Sequence, residues 1–463
     1  MTFRALTTGI ALLHLLGIFA AMHAVMHTRT PQGAIGWALG LLLLPYVTLL
    51  PYLYLGSNHF LGYRVGHQAQ PARASSTPAD AQAIDPACAR FAAISTLQGR
   101  SFRGGHRLRL LIDGEAAFDV MLAAMAAAEH CLLVQFFIIH DDMLGRRMQQ
   151  ILLQRAAAGV RVCVLFDGVG SHDLPRHYLD TLRAGGVTIH PFATHRWRNR
   201  FQLNFRNHRK IVVVDGVRAF VGGLNVGDEY LGLKPPLAPW RDTQLEVQGP
   251  AVADLQKLFA NDWQWITGTP PPLLPSPAGD GSACALIVAS GPADPQETAS
   301  LFFTAAINAA RQRVWISTPY FVPDQAVLAA LQLAVLRGVD VRVLIPSRPD
   351  HRTVFLASTL HAHHALRAGI QMFRYQPGFL HQKALLIDYD TAAIGSMNLD
   401  SRSFRLNFEV SALAVDEAFA ADVAVMLTAD FAHARAIDER EYLDAPYLRR
   451  VAMHVARLFD PLL

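Results

Sequence analysis

HRKIVVVDGVRAFVGGLN, residues 208–225, is written a second time in altered form as HQKALLIDYDTAAIGSMN, residues 381–398. His, Lys, Asp, Gly and Asn keep the same relative positions in both copies, although most of the residues between them differ. A single copy would most often be an ordinary surface strand. Two copies in register indicate an internal duplication that builds one site around a pair of equivalent histidines.

The first copy predicts a β-hairpin. Residues two apart in a strand lie on one face, so His208 and Lys210 point to the same side. Asp215, with the glycine that follows it, is a strong two-residue turn signal between two β-rich runs. This register places His208 opposite Gly223, which has no side chain.

The second copy predicts an equivalent hairpin with its turn at residues 388–390. The same register places His381 opposite Ser396, with Lys383 on the same face as the histidine. Because Asp388, like Asp215, lies in a turn, we interpret both aspartates as structural motif residues rather than catalytic ones.

Each hairpin predicts a small pocket that suits a phosphate group. Asn225 and Asn398 continue the faces that carry the histidines, so each pocket combines an imidazole, an ammonium and amide donors. A hydroxyl is available only in the second copy, from Ser396. We therefore expect Asn225, Ser396 and Asn398 to bind phosphate.

The pattern H-x-K-x4-D-x6-G-[GS]-x-N resembles the signature of the phospholipase D superfamily, and its double occurrence resembles the two-motif members. Further segments resemble the bacterial cardiolipin synthases of that superfamily: DGVGS at 167–171, WRD at 240–242, STPYF at 317–321, NLDSRSFRLNFE at 398–409 and ARLFDPLL at 456–463. The likeness spans nearly the whole chain. One position departs from the superfamily pattern, because Gly223 stands where serine is expected.

Paired histidines at a phosphodiester predict a two-step displacement. One histidine attacks phosphorus and forms a phosphohistidine; the other gives a proton to the leaving alcohol and later takes one from the incoming alcohol. Lys210 and Lys383 would stabilise the phosphate oxygens. By analogy with relatives, we expect His208 to be the nucleophile and His381 the acid and base. Four basic groups make a metal or a cofactor unnecessary, so none is expected.

Each histidine also needs a carboxylate that fixes its tautomer. The best candidates are Asp242, in the WRD segment after the first copy, and Glu409, in the NFE segment after the second.

The N-terminal region carries almost no charge. Between residues 1 and 63 the only charged side chains are Arg4 and Arg29. Apolar stretches at about 5–26 and 34–55 each approach the ~20 residues that cross a bilayer as a helix. We therefore predict two transmembrane helices, a signal peptide or a buried hairpin being the alternatives.

Two spans return the chain to the side on which it starts. Arg4, Arg64 and Arg73 would then share one side, against Arg29 in the loop, which favours a cytoplasmic catalytic part. The expected location is the inner membrane of a bacterium, as a multi-pass protein.

Helices and strands alternate through the rest of the chain, which predicts an α/β fold. We expect two similar phospholipase D-like α/β/α domains that share one cleft and follow two transmembrane helices. The predicted boundaries are 1–60 for the two membrane helices, 61–106 for a linker and lead-in, 107–266 for the first domain with its motif at 203–230, 267–281 for a second linker, and 282–463 for the second domain with its motif at 376–403.

Composition favours a membrane-attached enzyme, since 52% of the 463 residues are hydrophobic and 17% are charged. A net charge of +4 is too weak to favour a nucleic-acid partner. The resemblance implies phosphatidyl transfer between two phosphatidylglycerol molecules, which gives cardiolipin and glycerol. Hydrolysis by water and phosphatidylethanolamine as donor are the alternatives, and the oligomeric state is left open.

A short basic amphipathic segment lies near the C-terminus, at residues 448–458. It either lies on an anionic membrane surface or packs against the second domain.

Overall fold

The structure is a computed structural model that describes residues 3–28, 31–56, 60, 63, 86–192 and 204–463. The chain divides into two compact units. The smaller unit contains the apolar N-terminal helices, and the larger unit contains both copies of the histidine–lysine motif. Most of the predicted linker at 61–106, including Arg64 and Arg73, lies outside the described residues.

The helices are α1 Phe3–His27, α2 Pro31–Leu43, α3 Pro45–Leu55, α4 Pro86–Ala89, α5 Ala92–Gln98, α6 Asp113–Ala126, α7 Met143–Ala157, α8 Arg176–Ala184, α9 Ala251–Thr267, α10 Thr298–Ala309, α11 Gln325–Leu336, α12 Arg352–Arg367, α13 Ser401–Arg405, α14 Glu417–Ala432, α15 Arg440–Leu443 and α16 Tyr447–Arg457. The strands are β1 Arg103–Gly105, β2 Arg107–Ile112, β3 Cys131–Phe136, β4 Arg161–Asp167, β5 Thr188–Phe192, β6 Arg206–Asn207, β7 Ile211–Val214, β8 Arg218–Gly222, β9 Trp240–Arg241, β10 Thr243–Gln248, β11 Gly281–Ser290, β12 Arg313–Ser317, β13 Phe321–Val322, β14 Asp340–Pro346, β15 Gln371–Tyr375, β16 Phe379–Leu380, β17 Ala384–Ile387, β18 Thr391–Gly395, β19 Leu399–Asp400, β20 Asn407–Val415 and β21 Ala434–Ala436.

Only one helix among the described residues is long and apolar enough to cross a membrane by itself. It covers Thr7–His27, 21 residues with a mean hydropathy of 1.9. The second predicted span, 34–55, is not one continuous helix, because α2 ends at Leu43 and α3 begins at Pro45. Proline disfavours the helical conformation in the residue before it, and Leu44 accordingly leaves the helical region with φ −135° and ψ 56°.

The break at Pro45 is compensated inside the smaller unit. Pro45 has no N–H to donate to the carbonyl of Leu41, one helical turn earlier. A Cβ on Gly17 would collide with that carbonyl oxygen, so glycine lets α1 approach the break closely. The Thr48 hydroxyl donates to the carbonyl oxygens of Gly40 at 2.9 Å and Leu44 at 2.8 Å. The three helices therefore pack as a hairpin whose second arm is broken.

The larger unit contains two sheets with the same strand order. The first sheet runs β2-β10-β8-β7-β3-β4-β5, and the second contains β11-β20-β18-β17-β12-β14-β15 with β1 and β21 added at its edges. In both sheets the last three strands of this shared order are parallel and the others antiparallel. The prediction of two similar α/β halves is confirmed, and we call them the first half and the second half.

The strands of both halves are apolar on both faces, as expected for sheets that are covered on each side. One core, with Leu133, Leu245, Ile287, Leu386 and Val410, contains side chains of both sheets together with residues of α9 and α14. Separate cores cover the other face of each sheet. Burial of apolar side chains between the two sheets therefore holds the two halves together. Each motif lies on two neighbouring strands in the middle of its own sheet.

Both predicted hairpins form, but each is shifted by one residue. In the first hairpin Val214 pairs with Arg218, so the turn has three residues instead of two. Asp215 and Gly216 have positive φ angles of 50° and 68°, and the Val217 N–H closes the turn on the Val214 carbonyl at 3.0 Å. The turn chemistry was predicted correctly, whereas its length was not.

The shift overturns the predicted partners of the two histidines. A pairing of Ile387 with Thr391 gives the second hairpin the same three-residue turn. His208 does not lie opposite Gly223, and His381 does not lie opposite Ser396, because β7 begins at Ile211 and β17 at Ala384. Both histidines lie before these strands and pair elsewhere.

Candidate active site

Each histidine is bonded through its main chain to the other half. The His208 N–H donates to the Phe408 carbonyl at 2.9 Å, and the His381 N–H donates to the Arg241 carbonyl at 2.8 Å. Phe408 immediately precedes Glu409, and Arg241 immediately precedes Asp242. The strand end that carries each histidine is therefore held beside a carboxylate of the opposite half.

The side chains follow the same crossed arrangement. His208 Nδ1 lies 3.0 Å from both carboxylate oxygens of Glu409, and His381 Nδ1 lies 2.7 Å from Asp242 Oδ2. All four side chains are buried. Asp242 and Glu409 are thus in contact with Nδ1 of the two histidines, which leaves Nε2 as the ring atom that each imidazole can turn toward a substrate.

The two lysines lie next to the two histidines. Lys210 Nζ donates to the His208 carbonyl at 2.7 Å. Lys383 Nζ donates to the His381 carbonyl and lies 3.1 Å from His381 Nε2. Both ammonium groups are buried, so an anion that enters the site meets concentrated and poorly screened positive charge.

Burial and mutual repulsion shift the pKa values of these groups. Burial, reinforced by the charges of Lys210 and Lys383, lowers the pKa of His208 and of His381 to about 4. Burial also lowers the pKa of Lys210 to about 7 and that of Lys383 to about 8. Each histidine is affected by the lysine of the other half, so the four groups form one electrostatic site.

Glu409 accepts more hydrogen bonds than Asp242. The hydroxyls of Ser396 and Ser403 donate to Glu409 at 2.5 and 2.9 Å, and the Asn407 amide donates at 3.1 Å. The pKa of Glu409 lies below its usual value although burial opposes this, because His208, Lys210 and the Ser396 hydroxyl stabilise the charge. Ser403 and Asn407 were not predicted; both lie in the NLDSRSFRLNFE segment.

The Ser396 hydroxyl does not have the orientation that we expected. It donates to Glu409 and accepts from the Val410 N–H at 3.0 Å, and the residue is fully buried. Its position in this structure is that of a group that orients the carboxylate behind His208.

Gly223 lies at the equivalent position in the first half. A Cβ there would collide with the Asp242 carboxylate, and Asp242 receives a hydrogen bond from the Thr243 N–H at 2.8 Å. The pKa of Asp242 is lowered by Lys383 and His381, against the effect of burial. The missing serine therefore leaves space for the carboxylate that orients His381.

The motif asparagines are buried beside the site. Asn225 accepts from the Ile138 N–H at 3.1 Å and donates to the Tyr230 hydroxyl at 3.2 Å. Asn398 hydrogen-bonds Asp400, and its side-chain oxygen has no hydrogen-bond partner among the residues that the structure describes.

Asp215 and Asp388 hold the hairpins in place. Asp215 accepts hydrogen bonds from the N–H groups of Glu129, His130 and Cys131 at 2.7 to 2.8 Å, at the start of β3. Asp388 accepts from the equivalent N–H groups of residues 311–313, at the start of β12. Both carboxylates are therefore engaged with main-chain N–H groups at the start of a strand, and the structural role expected for both stays a prediction.

Two buried aspartates that the sequence analysis missed anchor the residue between His and Lys. Arg209 Nη1 lies 2.8 Å from Asp262 on α9. Gln382 Nε2 donates to Asp430 on α14 at 2.8 Å, and Arg241 of the first half also binds Asp430, at 2.7 Å. The middle residue of each H-x-K triplet is polar, and this could have indicated that it binds a buried polar partner.

Aromatic rings pack against both imidazoles. Phe137 contacts His208 edge to face with ring centres 5.0 Å apart, and Trp240 lies 5.0 Å from His381. These contacts restrict how each imidazole can turn. WRD was singled out for its carboxylate alone, so the role of Trp240 was not predicted.

Comparison with known proteins agrees with this geometry. The family described as "Cardiolipin synthase, PLD-like domain" matches residues 121–263 and 303–431. Relatives described as "Cardiolipin synthase A" include one from Pseudomonas putida (strain GB-1), 54% identical over 98% of this chain and 98% of its own. A second, from Pseudomonas entomophila (strain L48), is 55% identical with the same coverage of both chains.

Solved structures share the fold at low sequence identity. Phosphatidylserine synthase of Haemophilus influenzae has a TM-score of 0.62 at 12% identity, over 81% of this chain and all of that one. Polyphosphate kinase of Porphyromonas gingivalis has a TM-score of 0.50 at 12% identity, over 74% of this chain and 50% of that one. The duplicated motif, the paired sheets and the full-length relatives agree: the chain belongs to the cardiolipin synthase family with phospholipase D-like domains.

Proposed function

We propose that the protein transfers a phosphatidyl group from one phosphatidylglycerol molecule to a hydroxyl of another, giving cardiolipin and glycerol. The observation that carries this proposal is the pair of buried histidines, each oriented at Nδ1 by a carboxylate of the opposite half. Such a site provides one nucleophile and one acid–base group for the same phosphodiester.

In the first step, Nε2 of one histidine attacks phosphorus; a P–N bond forms and the P–O bond to glycerol breaks. The second histidine, protonated, gives its proton to the leaving oxygen. In the second step it takes the proton of the incoming hydroxyl, the new P–O bond forms and the P–N bond breaks. Lys210 and Lys383 stabilise the charge on the non-bridging oxygens in both transition states.

The negative charge of a bound phosphodiester allows one of the two histidines to be protonated and so to act as the acid. Two ammonium groups and burial hold the histidine pKa values low in the free site. A phosphodiester anion offsets the ammonium charges, so its binding raises the pKa of both imidazoles. The protonated histidine is therefore formed when substrate is present.

We assign the nucleophile to His208 and the acid–base role to His381. Glu409, which contacts His208, also accepts hydrogen bonds from two hydroxyls and an amide, and these spread its negative charge. Asp242 forms the shorter contact, 2.7 Å, with its histidine. The less dispersed charge of Asp242 is better suited to stabilise an imidazolium, the state that the acid must adopt.

A substrate with p-nitrophenol as leaving group tests this assignment, because p-nitrophenolate leaves without an acid. With phosphatidyl-p-nitrophenol, His381→Ala should still release one equivalent of p-nitrophenol in a burst and accumulate phosphatidyl-His208. His208→Ala should give no burst. A burst from His208→Ala and none from His381→Ala would reverse the two roles.

We further propose that Asn225 and Asn398 bind the phosphate oxygens or the adjacent glycerol oxygens. Asn398 has a buried amide oxygen that lacks a partner among the described residues, and such a group costs about 1–3 kcal/mol unless a ligand or water satisfies it. This oxygen can accept from a glycerol hydroxyl, whereas contact with a phosphate oxygen would have to come from an amide NH2 group. Ser396 is not part of this proposal, because its hydroxyl donates to Glu409 and accepts from the Val410 N–H.

The apolar helices suggest how the enzyme is attached. We propose that α1 spans the bacterial inner membrane and that α2 with α3 forms a second, broken span, which leaves the catalytic part cytoplasmic. In membrane helices, hydroxyl side chains and closely packed neighbouring helices commonly satisfy the main-chain groups that a proline leaves without a partner. The Thr48 hydroxyl and the close approach of α1 are of this kind. Labelling of an introduced cysteine on the catalytic part in spheroplasts tests the side: protection is expected, and labelling without lysis would contradict it.

A further inference from the structure

α16 has two apolar faces on one short helix. Met453 and Ala456 are buried against the second half. On the other side, Leu448 is 78% exposed, Val455 48% and Leu458 77%. At about 100° per residue, these exposed residues, with Tyr447 and Val451, fall within an arc of about 100° that lies opposite the buried face.

Two arginines, with a histidine between them, border this exposed arc. Arg450, His454 and Arg457 follow one another along the flank between the exposed apolar arc and the buried face. A helix that needed only to pack on the domain would place polar residues on its outer side. An apolar arc with a basic flank is the pattern of a helix that lies in the headgroup region of an anionic bilayer.

The position of α16 connects this surface to the active site. Ala456 packs with Val322 of β13, and Val322 pairs with Asp400, two residues after Asn398. The chain end is fixed nearby, since the Arg402 N–H donates to the Leu463 carbonyl at 2.7 Å. A lipid surface bound by α16 would lie beside the second motif.

We propose that α16 is an interfacial helix that docks the second half of the catalytic unit on anionic phospholipid. The apolar arc enters the acyl boundary and Arg450 and Arg457 pair with lipid phosphates. Docking would bring the headgroup of a lipid close to the second motif while the acyl chains of that lipid stay in the bilayer. The sequence alone left this helix open to either membrane contact or packing; the two faces do both.

Fluorescence quenching in nanodiscs tests the proposal without relying on catalysis. Single cysteines replace Leu448 and Val455 in the full chain with Cys284→Ala, since Cys88, Cys131 and Cys163 are buried. An environment-sensitive label on each cysteine is read in nanodiscs of phosphatidylcholine and phosphatidylglycerol in equal amounts, with quencher-bearing acyl chains. We expect blue-shifted emission and quenching, both reduced in nanodiscs of phosphatidylcholine alone.

Leu336 provides the matched control. This leucine is 82% exposed at the end of α11. It comes before the amino end of β14, whereas β13 follows the carboxyl end of the parallel strand β12, so the two lie at opposite ends of the strands. A label at this position should show neither blue shift nor quenching. Equal quenching at positions 336 and 448 would show non-specific contact and overturn the proposal.

Removal of the cations tests the lipid charge. Arg450→Gln and Arg457→Gln should each lower the ratio of quenched to unquenched label at position 448 roughly fivefold in the mixed nanodiscs. An unchanged ratio would overturn the proposal. Concentration-dependent shielding of the label in detergent, without lipid quenching, would assign the surface to contact between two copies of the chain and would also overturn it.

Discussion

Gly223 and Ser396 show how two equivalent positions can serve one purpose with different residues. Asp242 needs the space that a side chain at 223 would occupy. Ser396 instead donates to Glu409 at 2.5 Å. Each position therefore adjusts the carboxylate that orients the histidine of the other half.

This relation predicts that restoring the superfamily serine harms the enzyme. Gly223→Ser should displace Asp242 and lower kcat about a hundredfold, since a misplacement of about 1 Å in a catalytic group costs on that order. Ser396→Gly, the matched variant, removes a donor without a clash and should lose less. Wild-type kcat in Gly223→Ser, measured on protein with an unchanged melting temperature, would contradict the account.

The lysine pKa values predict an alkaline limit to activity. As pH rises through about 7 and about 8, Lys210 and Lys383 lose their protons, so kcat/KM for phosphatidylglycerol should fall. Protonation of the nucleophile His208 should lower kcat/KM only as pH approaches about 4. In Lys210→Arg the guanidinium stays charged, so the alkaline limb of its residual activity should move to higher pH; an unmoved limb would exclude Lys210 as its cause.

At the scale of elements, the two turn aspartates organise the hairpins. Asp215→Asn should lower the free energy of unfolding by about 1–3 kcal/mol, because charge-assisted hydrogen bonds to three N–H groups are weakened. The variant keeps the histidine contacts, so kcat per folded molecule should stay near that of the wild type. Urea unfolding with parallel activity measurement checks this, and lost kcat with unchanged stability would show a catalytic role.

The elements also show how far the sequence could predict the structure. Apolar runs and turn residues located the helices and strands around both motifs to within a few residues, because these signals are local. The hairpin register was wrong by one, since whether Val217 joins the turn depends on strand twist and on the bonds of Asp215. The break at Pro45 had a visible cause, although proline in an apolar stretch is also compatible with a continuous kinked helix.

At the scale of the molecule, the two halves complete each other. Glu409 contacts His208, Asp242 contacts His381, and Arg241 reaches Asp430 of the second half. The sequence identified both carboxylates, but their crossed assignment follows from how two sheets pack face to face. No local pattern encodes that contact.

The crossed contacts predict that one chain forms one complete site. A mixture of His208→Ala and His381→Ala proteins should remain at the activity of the separate variants, because each site would lack one histidine. The measurement is cardiolipin formed after co-reconstitution in nanodiscs. Recovered activity in the mixture would show that halves exchange between chains.

The most direct test of the central claim is product analysis with the purified protein in nanodiscs and labelled phosphatidylglycerol, alone and with phosphatidylethanolamine. We expect cardiolipin and glycerol in equal amounts from phosphatidylglycerol alone, and no product when both His208→Ala and His381→Ala are present in one chain. Phosphatidic acid as the sole lipid product, or activity retained in that double variant, would contradict it.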